Sequence, residues 1–236
     1  MIAVRALRKA FGPLQVLRGL DLTIAGGSVT AIVGPNAAGK TTFIKTLVGL
    51  VVPDSGEVIV GGIPVRRSWS YRARLGYMPQ AARFPENLVL TELLALVKDL
   101  RGAPAPHERE LLELFELGPA LDRPLGVLSG GTRQKISAVL ALMFDPDLLV
   151  LDEPTVGLDP LSSRRFKDRL AQERARGKTI LLASHVMSDL EEMSDRIVFL
   201  VEGQIFFDGS LEAIRTRTGE PTLERAIAHL MEGEAR

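Results

Sequence analysis

Short apolar runs, each bounded by glycine or charge, set the rhythm of this chain. Val29 to Val33, Leu148-Leu149-Val150-Leu151 and Thr179-Ile180-Leu181-Leu182-Ala183 show little polar alternation. That pattern belongs to strands covered on both faces, as in a parallel sheet. Ile2-Ala3-Val4, Leu20 to Ile24 and Glu57 to Val60 are further strand candidates, with Pro53-Asp54-Ser55-Gly56 as a turn. Arg196 to Val201 and Gln204 to Phe207, joined by Glu202-Gly203, predict a hairpin. Helical spacing appears over Thr42 to Val48, stopping near Gly49, and again from Thr91 through Leu93, Leu94, Leu96 and Val97. It recurs over His107 to Leu117, after the breaker Gly102-Ala103-Pro104-Ala105-Pro106, and at Ile136, Val139, Leu140 and Met143. A charged helix is expected over Leu161 to Arg176, and a helical tail over Thr222 to Met231. Strands alternating with helices predict an α/β fold. The Leu-, Glu- and Arg-rich stretch from about Phe84 to Leu125 reads as a helical subdomain inserted into it.

Composition narrows the chemistry. The 236 residues are 46 % hydrophobic and 25 % charged, enough for one large domain with an apolar interior. Lys+Arg and Asp+Glu both number 29, so net charge supplies no argument for nucleic acid or an anionic membrane as partner. Cysteine is absent, which removes disulfides, thiolate metal sites and thiol catalysis. Arg5, Arg8 and Lys9 interrupt the N-terminus, so no signal peptide is expected. No apolar window reaches the roughly 18 residues of a membrane span.

Gly34-Pro35-Asn36-Ala37-Ala38-Gly39-Lys40-Thr41 carries the most chemistry. It fits G-x-x-x-x-G-K-[ST] and lies between a predicted strand and a predicted helix that runs on through Thr42. A loop wrapping into a helix start aims unpaired N–H groups and the positive end of the helix dipole at one anion. Lys40 then reaches the outer phosphates of a nucleoside triphosphate, and the Thr41 hydroxyl can ligate Mg²⁺.

Two more stretches have the same flavour. Asp152 and Glu153 close the apolar run at Leu151, and Pro154 stops it. Strand ends in α/β sheets are where ligands bind. Asp152 there can hold Mg²⁺, and Glu153 can polarise the water that attacks a γ-phosphate. Leu128-Ser129-Gly130-Gly131-Thr132-Arg133-Gln134-Lys135 begins another helix with a serine and two glycines. It reads either as a second anion-binding terminus or as a plain N-capped helix.

With these motifs in this order, the chain resembles the nucleotide-binding subunit of an ATP-binding cassette (ABC) transporter over essentially its whole length. Gly34 to Thr41 matches Walker A, Gln80 in Tyr77-Met78-Pro79-Gln80 the Q-loop, and Leu128 to Thr132 the signature. Leu148 to Asp152 matches Walker B, with Glu153 after it; Gly157-Leu158-Asp159 matches the D-loop and Ser184-His185 the switch histidine. The resemblance implies a P-loop ABC-ATPase fold with an N-terminal antiparallel β subdomain and a mainly parallel core sheet. A helical subdomain over 84–125 interrupts the core of 1–83 and 126–215, and a C-terminal helical tail covers 216–236. ATP and Mg²⁺ are the implied cofactors.

The resemblance also assigns roles. Pro35, Asn36, Ala37, Ala38 and Gly39 join Gly34, Lys40, Thr41 and Thr42 around the nucleotide. Phe11, ordinarily a core residue, becomes the aromatic that stacks on adenine. Thr41, Gln80 and Asp152 hold Mg²⁺, while Glu153, His185, Lys40 and Gln80 serve hydrolysis. Two subunits pair head to tail, so that Ser129, Gly130, Gly131 and Thr132 of one close on the nucleotide of the other. Asp159 either caps the helix after it or communicates across that dimer. The implied partners are a second ATPase subunit, giving a homodimer, and a polytopic membrane permease. The implied location is the cytoplasmic face of the cell membrane.

Two positions depart from the family pattern. Ala37 stands where glycine is common, which is expected to be tolerated with φ below zero. Thr132 replaces the usual glutamine, with little effect expected. Thr155 to Pro160, Asp208-Gly209-Ser210 as a turn, and Pro221-Thr222-Leu223-Glu224 resemble the ABC-2 exporter-type subunits. Gly34 to Ala37, Tyr77 to Gln80 and Leu128 to Lys135 resemble, within that group, the ATPase of the copper-centre maturation system for nitrous oxide reductase. A soluble cassette ATPase of DNA repair or translation is the alternative.

Overall fold

The computed structural model describes residues 1–234, so the last two residues of the expected 216–236 tail lie outside the described residues. Two compact units divide the chain: residues 1–71 with 179–236, and residues 72–178. The first begins with a long hairpin of β1 (Ile2–Phe11) and β2 (Leu14–Ile24), in register from Phe11↔Leu14 to Ile2↔Ile24. Both strands exceed the three- and five-residue runs expected, because Arg5 and Arg8 are exposed while Ile2, Val4 and Leu7 are buried, so charge does not interrupt the inward face. Then come β3 (Val29–Val33), α1 (Lys40–Leu47), β4 (Ser55–Val60) and β5 (Ile63–Pro64). An antiparallel sheet forms in the order β2-β1-β4-β5. The expected turn at Pro53 to Gly56 is shorter than read, since Ser55 and Gly56 already belong to β4.

The second unit holds β6 (Leu75–Met78), α2 (Leu90–Arg101), α3 (Glu108–Leu114), α4 (Gly130–Leu142), β7 (Leu148–Asp152) and α5 (Pro160–Ala175). β6 pairs β7 in parallel, from Leu75↔Leu148 to Met78↔Leu151. α3 is shorter than the expected His107 to Leu117: Glu116 takes φ 54, which turns the chain out of the helix. Arg169 and Glu173 of α5 are both buried and bond at 2.8 Å, and Arg169 also pairs with Glu110 of α3. Buried charge persists only when paired.

The chain then completes the first unit with β8 (Thr179–Ala183), α6 (Met187–Met193), β9 (Arg196–Val201), β10 (Gln204–Ser210), α7 (Leu211–Thr218) and α8 (Leu223–Glu234). β3 lies between β8 and β9, parallel to both, and β10 closes antiparallel on β9. Every residue of β3 and β8 is buried, Thr30 and Thr179 included, as strands covered on both faces require. Asp208-Gly209-Ser210, expected as a turn, instead ends β10; the Ser210 hydroxyl accepts from Ala213 N at 3.0 Å and so starts α7. Leu223, Ala226, Ile227 and Leu230 of α8 are buried where it meets α6 and α7. No helix among the described residues is long and apolar enough to cross a membrane.

α4 rests on β6 at a glycine: a Cβ on Gly76 would stand 2.0 Å from the Ala141 carbonyl oxygen, a backbone atom that cannot swing aside. Gly76→Ala should therefore destabilise the protein by about 3 kcal/mol through overpacking. Urea unfolding checks this, and an unchanged midpoint would show that α4 can lift from the strand.

Candidate nucleotide site

The start of α1 is chemically exposed in a specific way. Its N-cap is Gly39, no side chain caps it, and its first turn contains no acid. The first N–H groups of a helix have no partners within it, so here they point into the loop unsatisfied by any capping side chain. The loop itself is wedged in place. A Cβ on Gly34 would meet the Leu200 oxygen at 2.1 Å, and one on Gly39 would meet Leu17 Cδ2 and Val16 O at 2.9 Å. Ala38 N donates to Pro35 O at 3.2 Å, and Gly203 N donates to Ala38 O at 3.0 Å. Lys40 Nζ donates to Gly34 O at 2.6 Å and to Pro35 O at 2.9 Å, holding its charge across the loop. Asn36 and Ala37 are exposed, and Thr41 and Thr42 are half-buried on the first turn.

Ala37 corrects an expectation. Its φ is 64, in the left-handed region, and not below zero. The loop turns sharply there, and without glycine the turn is made at a steric cost.

The same sheet edge receives the histidine. Register Ile32↔Ala183 aligns the C-terminal ends of β3 and β8, so the loop at Gly34 and the Ser184-His185 turn leave neighbouring strands side by side. His185 is exposed, and Ser184 Oγ accepts from Val186 N at 3.0 Å to shape the turn. Phe11 stands at the tip of the β1–β2 hairpin, 51 % exposed, with Lys9 Nζ 5.1 Å from its ring centre. Lys9 lies over one face of the ring, and about half of the residue remains exposed.

In the second unit, register Met78↔Leu151 likewise places the segments leading to Gln80 and Glu153 at one strand-end edge. Asp152 and Glu153 are both buried, at 2 % and 6 % exposure, and Gln80 is exposed. Burial, and secondarily the Asp152 charge, pushes the Tyr77 phenol up to about 12. Glu153 sits at φ 52, an uncommon conformation for a residue with a side chain.

The signature segment is built differently from the start of α1. Ser129 N-caps α4, its Oγ accepting from Thr132 N at 3.1 Å and lying 2.8 Å from Thr132 Oγ1. The capped-helix reading of this stretch is thus realised, and Thr132 takes part in it. Space for a Cβ is open at Gly130, whereas one on Gly131 would meet the Gly157 oxygen at 2.7 Å. Asp159 caps α5 through Ser162 N at 2.9 Å and binds Lys135 Nζ at 2.9 Å. Lys135 first, and the Ser162 donors next, hold the Asp159 carboxyl well below the usual carboxylate range. A cleft of about 580 Å³, lined in part by Gln80, Phe84, Glu86, Arg133 and Gln134, opens in this unit. Sequence reading gave no role to Gln134 and Lys135; polar residues on the otherwise apolar helix after Gly131 were the available signal.

Comparison with known proteins gives the family. The family model described as ABC transporter matches residues 17–156. The chain belongs to the ABC transporter family. It is an ATP-binding subunit of that family and an ATPase. The Nod factor export ATP-binding protein I of Burkholderia lata is 38 % identical over 218 residues, covering 90 % of this chain and 72 % of that one. The probable multidrug ABC transporter ATP-binding protein YbhF of Escherichia coli K12 is 36 % identical over 221 residues, 91 % of this chain and 38 % of that one. A solved ATP-binding subunit of an ABC transporter superposes with TM-score 0.91 at 31 % identity, covering 98 % and 99 % of the two chains. A dimeric post-hydrolysis structure of the ATP-binding cassette MJ0796, bound to ADP and Pi, gives TM-score 0.79 at 25 % identity, covering 89 % and 99 %.

Gly34 and Gly39 leave a cradle that a Cβ would fill with clashes, which fits a phosphate group; Thr41 in the first unit, and Gln80 and Asp152 in the second, are each oxygen donors of the hard kind Mg²⁺ selects. In this ABC ATPase, Ala37→Gly should relieve the left-handed strain, offset in part by the freer unfolded chain. The net expectation is a gain of roughly 0.5–1 kcal/mol, read as a higher melting temperature; a lower one would show that the Ala37 methyl is needed.

Proposed function

We propose that this ABC ATPase works as a head-to-tail homodimer at the cytoplasmic face of a membrane, powering a polytopic ABC-2 type exporter. The observation that carries the reading is the start of α1: an uncapped, acid-free helix terminus with Lys40 held over it. A triphosphate would satisfy those N–H groups and draw Lys40 from its carbonyl partners. The phosphate groups lie in the cradle of Gly34 to Thr42, with the adenine stacked on the exposed ring of Phe11. The face of Ser129, Gly130, Gly131 and Thr132 of the second copy seals the nucleotide, and Asp159 passes the state of one site to the other.

Phosphoryl transfer is driven by positioning and charge neutralisation. Mg²⁺, when bound by Thr41, Gln80 and Asp152, supplies part of that neutralisation. Glu153 orients and polarises the attacking water, Lys40 draws negative charge from the phosphate oxygens, and His185 holds the γ-phosphate. The cleft beside Gln80 and Arg133 is where a cytoplasmic segment of the permease would dock.

Export is supported by the relatives, whose names give Nod factor export and multidrug transport, and these also weigh against a soluble repair or translation ATPase. A copper-related cargo, as in maturation of nitrous oxide reductase, is the finer reading; it rests on the resemblance at Gly34 to Ala37, Tyr77 to Gln80 and Leu128 to Lys135.

Glu153→Gln tests the base assignment. ATP affinity should stay within a few-fold of wild type while turnover falls by about 10²- to 10⁴-fold, the range for losing a general base. Near-normal steady-state hydrolysis by this variant would remove Glu153 from the role.

A further inference from the structure

We infer that Gln134 is a positioning residue for Glu153, and that the first turns of α4 hold the loop carrying Glu153 in its working shape. Gln134 is 4 % exposed, and a buried amide is normally hydrogen-bonded. Its Nε2 donates to Glu153 O and to Pro154 O, each at 3.4 Å, a long, shared contact aimed at the turn that carries the base. Glu153 O also accepts from Val156 N at 3.3 Å, and Thr155 O accepts from Leu158 N at 3.2 Å, so the loop is a pair of consecutive turns. Glu153 itself occupies φ 52. The aim of its carboxylate depends on that backbone setting, and the setting depends on where the carbonyls of Glu153 and Pro154 are tied.

α4 grips the same loop at two further points. Gly131 approaches the Gly157 oxygen so closely that a Cβ would stand at 2.7 Å, and Lys135 pairs with Asp159 at 2.9 Å. Contacts over Gly131, Gln134 and Lys135 thus clamp residues 153–159 to the helix whose first turn is the signature. A displacement of that helix end must move the base. Gln134 also lines the cleft beside Gln80 and Arg133, so an occupant of the cleft would bear on the same amide. This inference rests on the reading of Glu153 as the base and of the signature as acting on the opposite copy.

Gln134→Met is the test, because methionine keeps the length and flexibility of the side chain while removing the donor. ATP binding should be retained while kcat falls about ten- to a hundredfold, the scale of a small misplacement of a reacting group. A residue that merely filled the core would lower the melting temperature and leave kcat per folded molecule unchanged. Should the methionine variant fail to fold, Gln134→Asn, whose amide falls one methylene short, replaces it with the same expectation.

Mixed dimers then locate the effect. Lys40→Ala subunits combined with Ser129→Arg subunits leave one competent site, whose Glu153 comes from the Ser129→Arg copy. Gln134→Met placed on that copy should abolish the recovered activity, and placed on the Lys40→Ala copy should leave most of it. Equal loss from both placements, or loss only from the signature-donating copy, would overturn the inference. No recovery in the parent mixture would count against shared sites or against the uncapped α4 of the Ser129→Arg copy holding its own Glu153; the kcat of the Gln134→Met homodimer would then decide the role of Gln134, with an unchanged value refuting it.

Discussion

The nucleotide chemistry of this ABC ATPase depends on a helix that begins without a cap. The N–H groups opening α1 meet neither a capping side chain nor an acid, and the glycines before them are pinned by contacts too close for any Cβ. Other described helices differ: α4, α5 and α7 begin with Ser129, Asp159 and Ser210 as side-chain caps, while α3 and α6, also without a side-chain cap, carry acids in their first turn. An uncapped start next to a charged lysine is a standing electrostatic demand for an anion. The parallel strands that carry the loop, His185, Gln80 and Glu153 to their respective sheet edges are the frame that presents this demand to chemistry.

The two glycine-containing helix starts divide the labour. α1 offers bare amides and a lysine charge, which suits the full negative charge of a triphosphate. α4 satisfies its own terminus through Ser129 and keeps Gly130 open on one side while Gly131 packs on the loop after Glu153. On the proposed function, one terminus grips the triphosphate, and the other closes on it and reports to Glu153 through Gln134. Their different capping is the local physical reason that one motif reads as a primary cradle and the other as a lid.

Much of this was legible in the amino-acid sequence. Val29–Val33, Thr179–Ala183 and Arg196–Val201 are legible to the residue, because their buried interiors demand short, mostly apolar runs. β6 escaped notice, as Leu75-Gly76-Tyr77-Met78 has only four residues and a glycine whose value lies in its contact with Ala141. α7 escaped because its buried residues are few, Ile214 and Thr218, and Asp208 to Ser210 looked like a turn. At the site, motif spacing named the phosphate loop and the strand-end carboxylates. It could not supply the sign of φ at Ala37 or the contact from Gln134 to Glu153, since backbone angles and distant pairings are tertiary facts.

The central claim is that a triphosphate bridges the α1 cradle of one copy and the α4 face of another. Static light scattering of the Glu153→Gln chain at saturating Mg-ATP measures this directly, with Mg-ADP as the reference state. The expected result is a mass that doubles with Mg-ATP and returns to that of a single chain with Mg-ADP. A single-chain mass under full ATP occupancy, with the membrane partner's presence making no difference, would contradict it.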